Sequence, residues 1–106
     1  MDISGKGGNF VTITFDGSTD FDLCAYLGVP EVTLFAISQN AVAANDTLTV
    51  RNGSASGVAI YGPFSDITGA GLIRYFVPSR VVKPYVKGTE ATAGSKATFE
   101  VEYTTR

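Results

Sequence analysis

One acidic segment carries oxygen-bearing side chains at alternate positions, namely Asp16, Ser18, Asp20 and Asp22. This spacing matches the beginning of a calcium-binding loop. The rest of the pattern fails, because Phe21 stands where a sharp turn requires glycine and Leu27 where a bidentate glutamate is required. We therefore expect a polar hairpin tip whose acids protect a strand edge. Calcium held partly by another subunit is the alternative.

The other residues that could do chemistry lack partners in the sequence. Cys24 has no nearby base to activate its thiol, so we interpret it as a small apolar core residue. Glu100 and Glu102 could suggest a glycosidase pair, but they alternate with apolar residues and so should lie on a solvated face. The chain contains no histidine, which excludes triads with a histidine base and histidine metal sites. We expect no enzymatic activity and no cofactor.

Composition limits the remaining classes of function. With 106 residues, 44% of them hydrophobic, the chain is long enough for one domain with a core. A net charge of −2 argues against non-specific nucleic-acid binding. No run approaches the roughly 20 apolar residues of a membrane span. The polar, glycine-rich start has no apolar signal core, so we expect neither export nor a membrane partner.

The elements that must position these residues are mostly strands. Alternating or apolar segments bounded by turn residues predict strands at residues 10–15, 21–23, 31–38, 47–51, 57–61, 72–77, 81–87 and 97–103. Residues 22–27 could form one turn of helix, which Gly28 would end. The chain should form an all-β fold, an antiparallel β-sandwich or jelly roll of about eight short strands. We assign residues 9–106 to this domain and residues 1–8 to a flexible N-terminal arm.

Two predicted strands have apolar side chains on both faces. In residues 31–38, Phe35 and Ile37 point to the face opposite that of the other apolar side chains. In residues 72–77, Ile73, Tyr75 and Val77 point to the face opposite that of Leu72 and Phe76. A small domain has little to cover the surplus face, so we expect these five residues to contact another subunit or a capsid. Bends or bulges that send both faces inward are the alternative.

Charge is distributed unevenly along the chain. Residues 1–50 contain one base and six acids, whereas residues 51–106 contain seven bases and four acids. Residues 74–87 contain no acid and four bases, which are Arg74, Arg80, Lys83 and Lys87. Such asymmetry favours docking on copies of the chain or on an acidic surface, although folding could also scatter the charges. We add these four bases to the expected contact residues.

The style of strands and turns resembles a known group of proteins. Glycine-rich residues 4–8 lead into the strand at 10–15, and the segment DTLTV at 46–50 precedes a polar loop at 51–57. The turn-rich segment PFSDITG at 63–69 precedes RYFV at 74–77, and ATFEVEY at 97–103 closes the chain. In these features the chain is similar to the small β-sandwich virion proteins of tailed bacteriophages.

The resemblance implies a non-enzymatic capsid decoration (cement) protein, or a head or tail accessory protein. Its partners would be the major capsid protein or other virion proteins, and it would be located in the virion after assembly in the bacterial cytoplasm. A homo-oligomer, with a trimer favoured, is expected. The other interpretation is a carbohydrate- or receptor-binding module of a phage tail or fibre. Its candidate ligand aromatics are Tyr26, Tyr61, Phe64 and Tyr85.

Overall fold

The computed structural model describes residues 1–104, so the last two residues of the predicted domain lie outside the described residues. Within this part of the chain the strands are β1 (Asp2–Ser4), β2 (Phe10–Thr14), β3 (Phe21–Asp22), β4 (Val32–Asn40), β5 (Asp46–Asn52), β6 (Ala59–Asp66), β7 (Leu72–Val82), β8 (Pro84–Val86) and β9 (Lys96–Glu102). The helical elements are α1 (Leu23–Leu27) and a 3₁₀ turn (Gly88–Glu90).

The strands form two antiparallel sheets. The larger has the order β1-β2-β9-β4-β7 and the smaller the order β3-β8-β5-β6. The pairs are nested, because β5 pairs with β6, β4 with β7, β3 with β8, and β2 with β9. A long antiparallel hairpin wound in this way, with its pairs alternating between two sheets, is a jelly roll. The predicted all-β sandwich is therefore confirmed.

The core lies between the sheets and takes alternate side chains from each strand. In β9, Ala97, Phe99 and Val101 are fully buried, and in β2 the same holds for Val11 and Ile13. Burying each large apolar side chain contributes about 1.5–3 kcal/mol. The alternation that predicted these two strands therefore also stabilises the sandwich.

A β-bulge in β4 corrects one expected contact. Against β9 the register shifts between Leu34 and Ala36, so Phe35 is the extra residue, whereas against β7 the four residues 76–79 lie opposite it. The bulge resets the alternation, and Leu34 and Ile37 are both fully buried. The prediction that Ile37 contacts a subunit or capsid is wrong, since its side chain lies in the core. Phe35 is half-buried beside the bulge.

The N-terminus is also more ordered than predicted. Residues 2–4, assigned to a flexible arm, form β1, in which Ile3 pairs with Ile13 and packs against the core. The following residues are held by Tyr103, whose hydroxyl accepts from the Gly7 N–H at 2.9 Å and donates to the Gly8 carbonyl at 3.1 Å. Residues 1–8 thus belong to the sandwich domain.

The short helix α1 is capped at both ends. Asp22 precedes α1, and its carboxylate accepts a hydrogen bond from the Ala25 N–H at 3.1 Å. Gly28 ends the helix at φ 73°, in the left-handed conformation that glycine adopts easily. The predicted turn of helix is confirmed. No helix among residues 1–104 has the length and apolar character needed to cross a bilayer.

Candidate functional site

The strand β7 is a free edge of the larger sheet, and its side chains are exposed on both faces. Every residue from 72 to 81 is exposed except Phe76. Its exposed large apolar residues are Leu72, Ile73, Tyr75, Val77 and Val81. Native sheets usually protect such an edge, because its unpaired backbone groups and apolar side chains attract another chain. We call Leu72–Val82 the β7 edge and treat it as the candidate docking surface.

The register of β7 shows which side chains share a face. Ile73 pairs with Ser38 and lies on the outer face of the sheet. Arg74 pairs with Ile37, whose side chain enters the core, so Arg74 lies on the core-facing side, beyond the edge of the core. Val77 is 90% exposed, beside the point at which the pairing with β4 is interrupted. The β7 edge therefore presents contact groups on both faces.

The four predicted bases separate into two groups. All are exposed, and the one ion pair within residues 1–104, between Arg51 and Glu90, uses none of them. Lys87 is close enough to Asp20 to help lower the pKa of that carboxyl, and Lys83 lies between β7 and β8. Arg74 and Arg80 belong to the β7 edge itself, together with its apolar side chains.

A cleft of about 280 Å³ opens between the two sheets beside the β7 edge. It is lined by Tyr61 and Phe64 of β6 and by Leu72, Ile73 and Arg74 of β7. The cleft is therefore mostly apolar, with one guanidinium among its lining groups. That guanidinium lies over the ring of Phe76, 5.1 Å from its centroid.

A bulge in β6 shapes one wall of this cleft. The register against β5 shifts between the pairs Leu48–Phe64 and Val50–Tyr61. Gly62 lies in this bulge at φ 81°, and a Cβ there would come within 2.3 Å of the Leu48 carbonyl oxygen. Only glycine fits, and the bulge brings the rings of Tyr61 and Phe64 edge to face with centroids 4.8 Å apart.

Tyr61 belongs to the core, which corrects its assignment as an exposed ligand aromatic. Its side chain is 1% exposed, and its hydroxyl donates to Gln39 Oε1 at 2.5 Å. The amide nitrogen of Gln39 in turn donates to the Asp46 carbonyl at 3.4 Å. Burial raises the pKa of Tyr61 to about 12, and the charge of Asp66 acts in the same direction.

The other candidate aromatics lie apart. The Tyr85 hydroxyl donates to Asp20 Oδ2 at 2.6 Å, and this bond raises the pKa of Tyr85. Tyr26 is half-buried against Phe21, with the Lys6 ammonium 5.4 Å from the ring centroid. Phe64, 40% exposed, is the candidate that remains accessible in the cleft. The four rings do not form one binding platform.

The acids of the calcium-like segment each have a separate structural role. Asp16 accepts hydrogen bonds from Ser18 and from Thr19, whose hydroxyl and N–H lower the pKa of Asp16 well below its usual range. Asp20 accepts from the Gly88 N–H at 2.8 Å, and Asp22 caps α1. The segment is polar, as the sequence predicts, but the prediction of a hairpin tip is wrong, because β2 and β3 belong to different sheets and do not pair.

Cys24 lies buried in α1, and desolvation raises the pKa of its thiol to about 11. The thiol is therefore protonated at neutral pH and is a poor nucleophile.

The sequence did not predict the cleft, although it singled out four of its five lining residues. Tyr61 and Phe64 were candidates for a ligand, and Ile73 and Arg74 for a subunit contact. Their proximity depends on how two different sheets pack. A second depression of about 650 Å³, lined among others by Glu31, Glu102 and Tyr103, lies beside Val81 at the other end of β7.

Comparison with known proteins identifies no relative of this chain. Neither a protein-family model nor a curated protein nor a solved structure matches it.

Proposed function

We propose that this chain is a non-enzymatic structural protein of a tailed-phage virion, a capsid decoration protein that attaches to the head through the β7 edge. One observation carries the proposal, namely the concentration of exposed apolar side chains on a single edge strand. Of the eleven large hydrophobic residues exposed among residues 1–104, five belong to β7. A patch of this kind on a small domain is typical of a surface that a partner covers.

The fold and the charge are compatible with this proposal. Jelly rolls occur in viral capsid proteins and also in lectins, so the topology supports attachment without deciding between a capsid and a sugar. Arg74 and Arg80 add positive charge to the apolar edge. Electrostatic attraction would then orient the chain on an acidic partner before the apolar side chains pack.

The partners proposed are the major capsid protein or other virion proteins, with the chain located in the virion. The homo-oligomer, a trimer in particular, stays a prediction. Ile37 lies in the core and no longer supports an oligomer, so this prediction rests on the exposed apolar side chains of the β7 edge. A carbohydrate- or receptor-binding module is the other outcome, for which the cleft beside Phe64 would be the ligand site.

The experiment compares incorporation of variants into phage particles. Particles of the phage that encodes the chain are purified on a density gradient, and the chain is quantified against the major capsid protein by mass spectrometry. We expect a fixed copy number for the wild type. It should fall at least about tenfold in each of two single variants, Ile73→Ser and Tyr75→Ser, because each substitution removes apolar contact area. The matched control is Val42→Ser, since Val42 is 51% exposed in the β4–β5 loop and Ile73 is 54% exposed.

Two results would overturn the proposal. The chain could be absent from purified particles, or both variants could be incorporated as well as the wild type. Specific binding to a glycan array, lost on Phe64→Ala, would favour the carbohydrate-binding module instead.

A further inference from the structure

The backbone of β7 is able to accept another strand. It is an edge strand that pairs with β4 in two parts, residues 72–75 and 80–82, and has no neighbour on its other side among the described residues. Residues 76–79 between them do not pair with β4, and Pro78 has no N–H to donate, so an added strand would pair with residues 72–75. Alternate N–H and C=O groups of an edge strand point away from the sheet and can pair with an added segment. The edge is exposed from residue 72 to residue 81 apart from Phe76, so no described element covers it.

The side chains of β7 define which residues an added strand should carry. Leu72 and Arg74 lie two positions apart on one face and both line the cleft of about 280 Å³. Directly opposite positions on a neighbouring strand would also be two residues apart. An apolar side chain beside Leu72 could enter the cleft, and a carboxylate beside Arg74 could pair with its guanidinium.

Charge argues against a second copy of β7 as this strand. Pairing two copies of β7 would bring Arg74 and Arg80 of both copies into one interface, and β7 contains no acid to pair with them. Like charges directly opposite each other destabilise a pair of strands. The bases at residues 74–87 have no acid among them, so the complementary strand should be acidic.

We propose that the β7 edge accepts an extended acidic segment of a partner polypeptide as a sixth strand of the larger sheet, with an apolar side chain in the β6–β7 cleft and a carboxylate two positions away on Arg74. This inference rests on the proposed function, because it names the kind of segment that the attachment surface takes. The strand hydrogen bonds supply affinity, whereas the cleft and Arg74 supply specificity.

The test uses synthetic peptides and the full chain. The probe is an eight-residue peptide of valine and threonine that contains a phenylalanine and a glutamate two positions apart. A second peptide has lysine in place of glutamate, and a third has N-methyl groups on alternate backbone amides. Binding is measured by amide chemical shifts in NMR spectra, with peptide added up to millimolar concentration.

We expect the glutamate peptide to bind at least about tenfold more tightly than the lysine peptide, with the largest shifts in residues 72–82. Methylation should abolish binding because it removes strand hydrogen bonds. Arg74→Glu should reverse the preference between the two charged peptides. The matched control is Lys96→Glu, which makes the same change of charge at an exposed residue of β9 and should leave the preference unchanged. The spectra also report whether each variant is folded.

Three results would overturn the inference: no binding at millimolar peptide, equal binding of the two charged peptides, or shifts centred on β1. A dimer whose β7 amides are protected without peptide would also overturn it, since the occupant would then be a second copy. The proposed function is judged separately. If the chain is present in virions but no peptide binds, the proposed attachment to the virion is retained and the proposed addition of a strand to β7 is wrong.

Discussion

Ile37 and Ile73 lie on neighbouring strands only one register step apart, yet their side chains are in opposite environments. Ile37 is 0% exposed and faces the core, whereas Ile73 is 54% exposed on the outer face of the same sheet. The register explains the difference, because Ile37 pairs with Arg74 and Ile73 pairs with Ser38. One isoleucine therefore stabilises the fold and the other is available to a partner.

Alanine at these two positions should separate stability from attachment. We expect Ile37→Ala to lower the free energy of unfolding by about 2–5 kcal/mol, because it leaves a cavity in the core. Ile73→Ala should change it by no more than about 0.5 kcal/mol. Urea denaturation followed by circular dichroism measures both. A loss of similar size at the two positions would mean that Ile73 is also a core residue.

The hydrogen bond between Tyr61 and Gln39 should contribute to stability. Tyr61→Phe leaves the buried Gln39 Oε1 without this donor, so we expect a loss of about 1–3 kcal/mol in the free energy of unfolding. Tyr75→Phe, at an exposed position, is the matched control and should have little effect.

The same tyrosine makes stability depend on alkaline pH. Its pKa is raised to about 12 in the folded chain, so the unfolded chain releases this proton first. The corresponding stabilisation is complete below the unfolded pKa of about 10 and is lost as pH rises through the folded value. Denaturation midpoints should therefore fall more steeply between these values in the wild type than in Tyr61→Phe. Parallel curves would contradict the assignment.

Glycine should be required at the β6 bulge. Gly62→Ala combines a positive φ with a Cβ 2.3 Å from the Leu48 carbonyl oxygen, and we expect a loss of about 1–3 kcal/mol. Gly53→Ala is the control, because Gly53 also has a positive φ but no atom within 4 Å of the added Cβ. Thermal unfolding should show the larger decrease for Gly62→Ala. Equal decreases in the two variants would mean that the contact between the added Cβ and the Leu48 carbonyl oxygen does not lower stability.

Asp20 should contribute to the acid limit of stability. The Gly88 N–H and then the Tyr85 hydroxyl lower the pKa of Asp20, because both donate to the ionised carboxylate. The stabilisation is present above the unfolded pKa of about 4 and is lost as pH falls through the lower folded value. Asp20→Asn should therefore reduce stability at neutral pH and flatten its fall below pH 4. Tyr85→Phe, which removes one donor, should give an intermediate curve.

Residues with a regular local pattern were predictable from sequence. The alternation at residues 97–103 predicted β9 with its correct buried face, and Gly28 predicted the end of α1. The helix end depends on residues that are close in sequence, and the strand depends on apolar side chains that repeat at every second position. The exposure of Ile73, Tyr75 and Val77 followed in the same way from the two-sided pattern of residues 72–77.

Features that depend on pairing between distant strands were not predictable. The bulge at Phe35, which directs the Ile37 side chain into the core, is visible only in the register of β4 with β9. Residues 2–4 form a strand because they pair with β2 across a glycine-rich turn, with Ile3 opposite Ile13. The cleft requires β6 and β7, at the edges of different sheets, to lie side by side.

Hydrogen exchange of the chain bound to phage heads tests the role of the β7 edge most directly. The free chain and the chain on particles are labelled under the same conditions and digested for mass spectrometry. We expect peptides covering residues 72–82 to exchange much more slowly on the particle, whereas the β1 edge at Asp2–Ser4 exchanges as it does in the free chain. Unchanged exchange across residues 72–82, or protection confined to β1, would contradict attachment through the β7 edge.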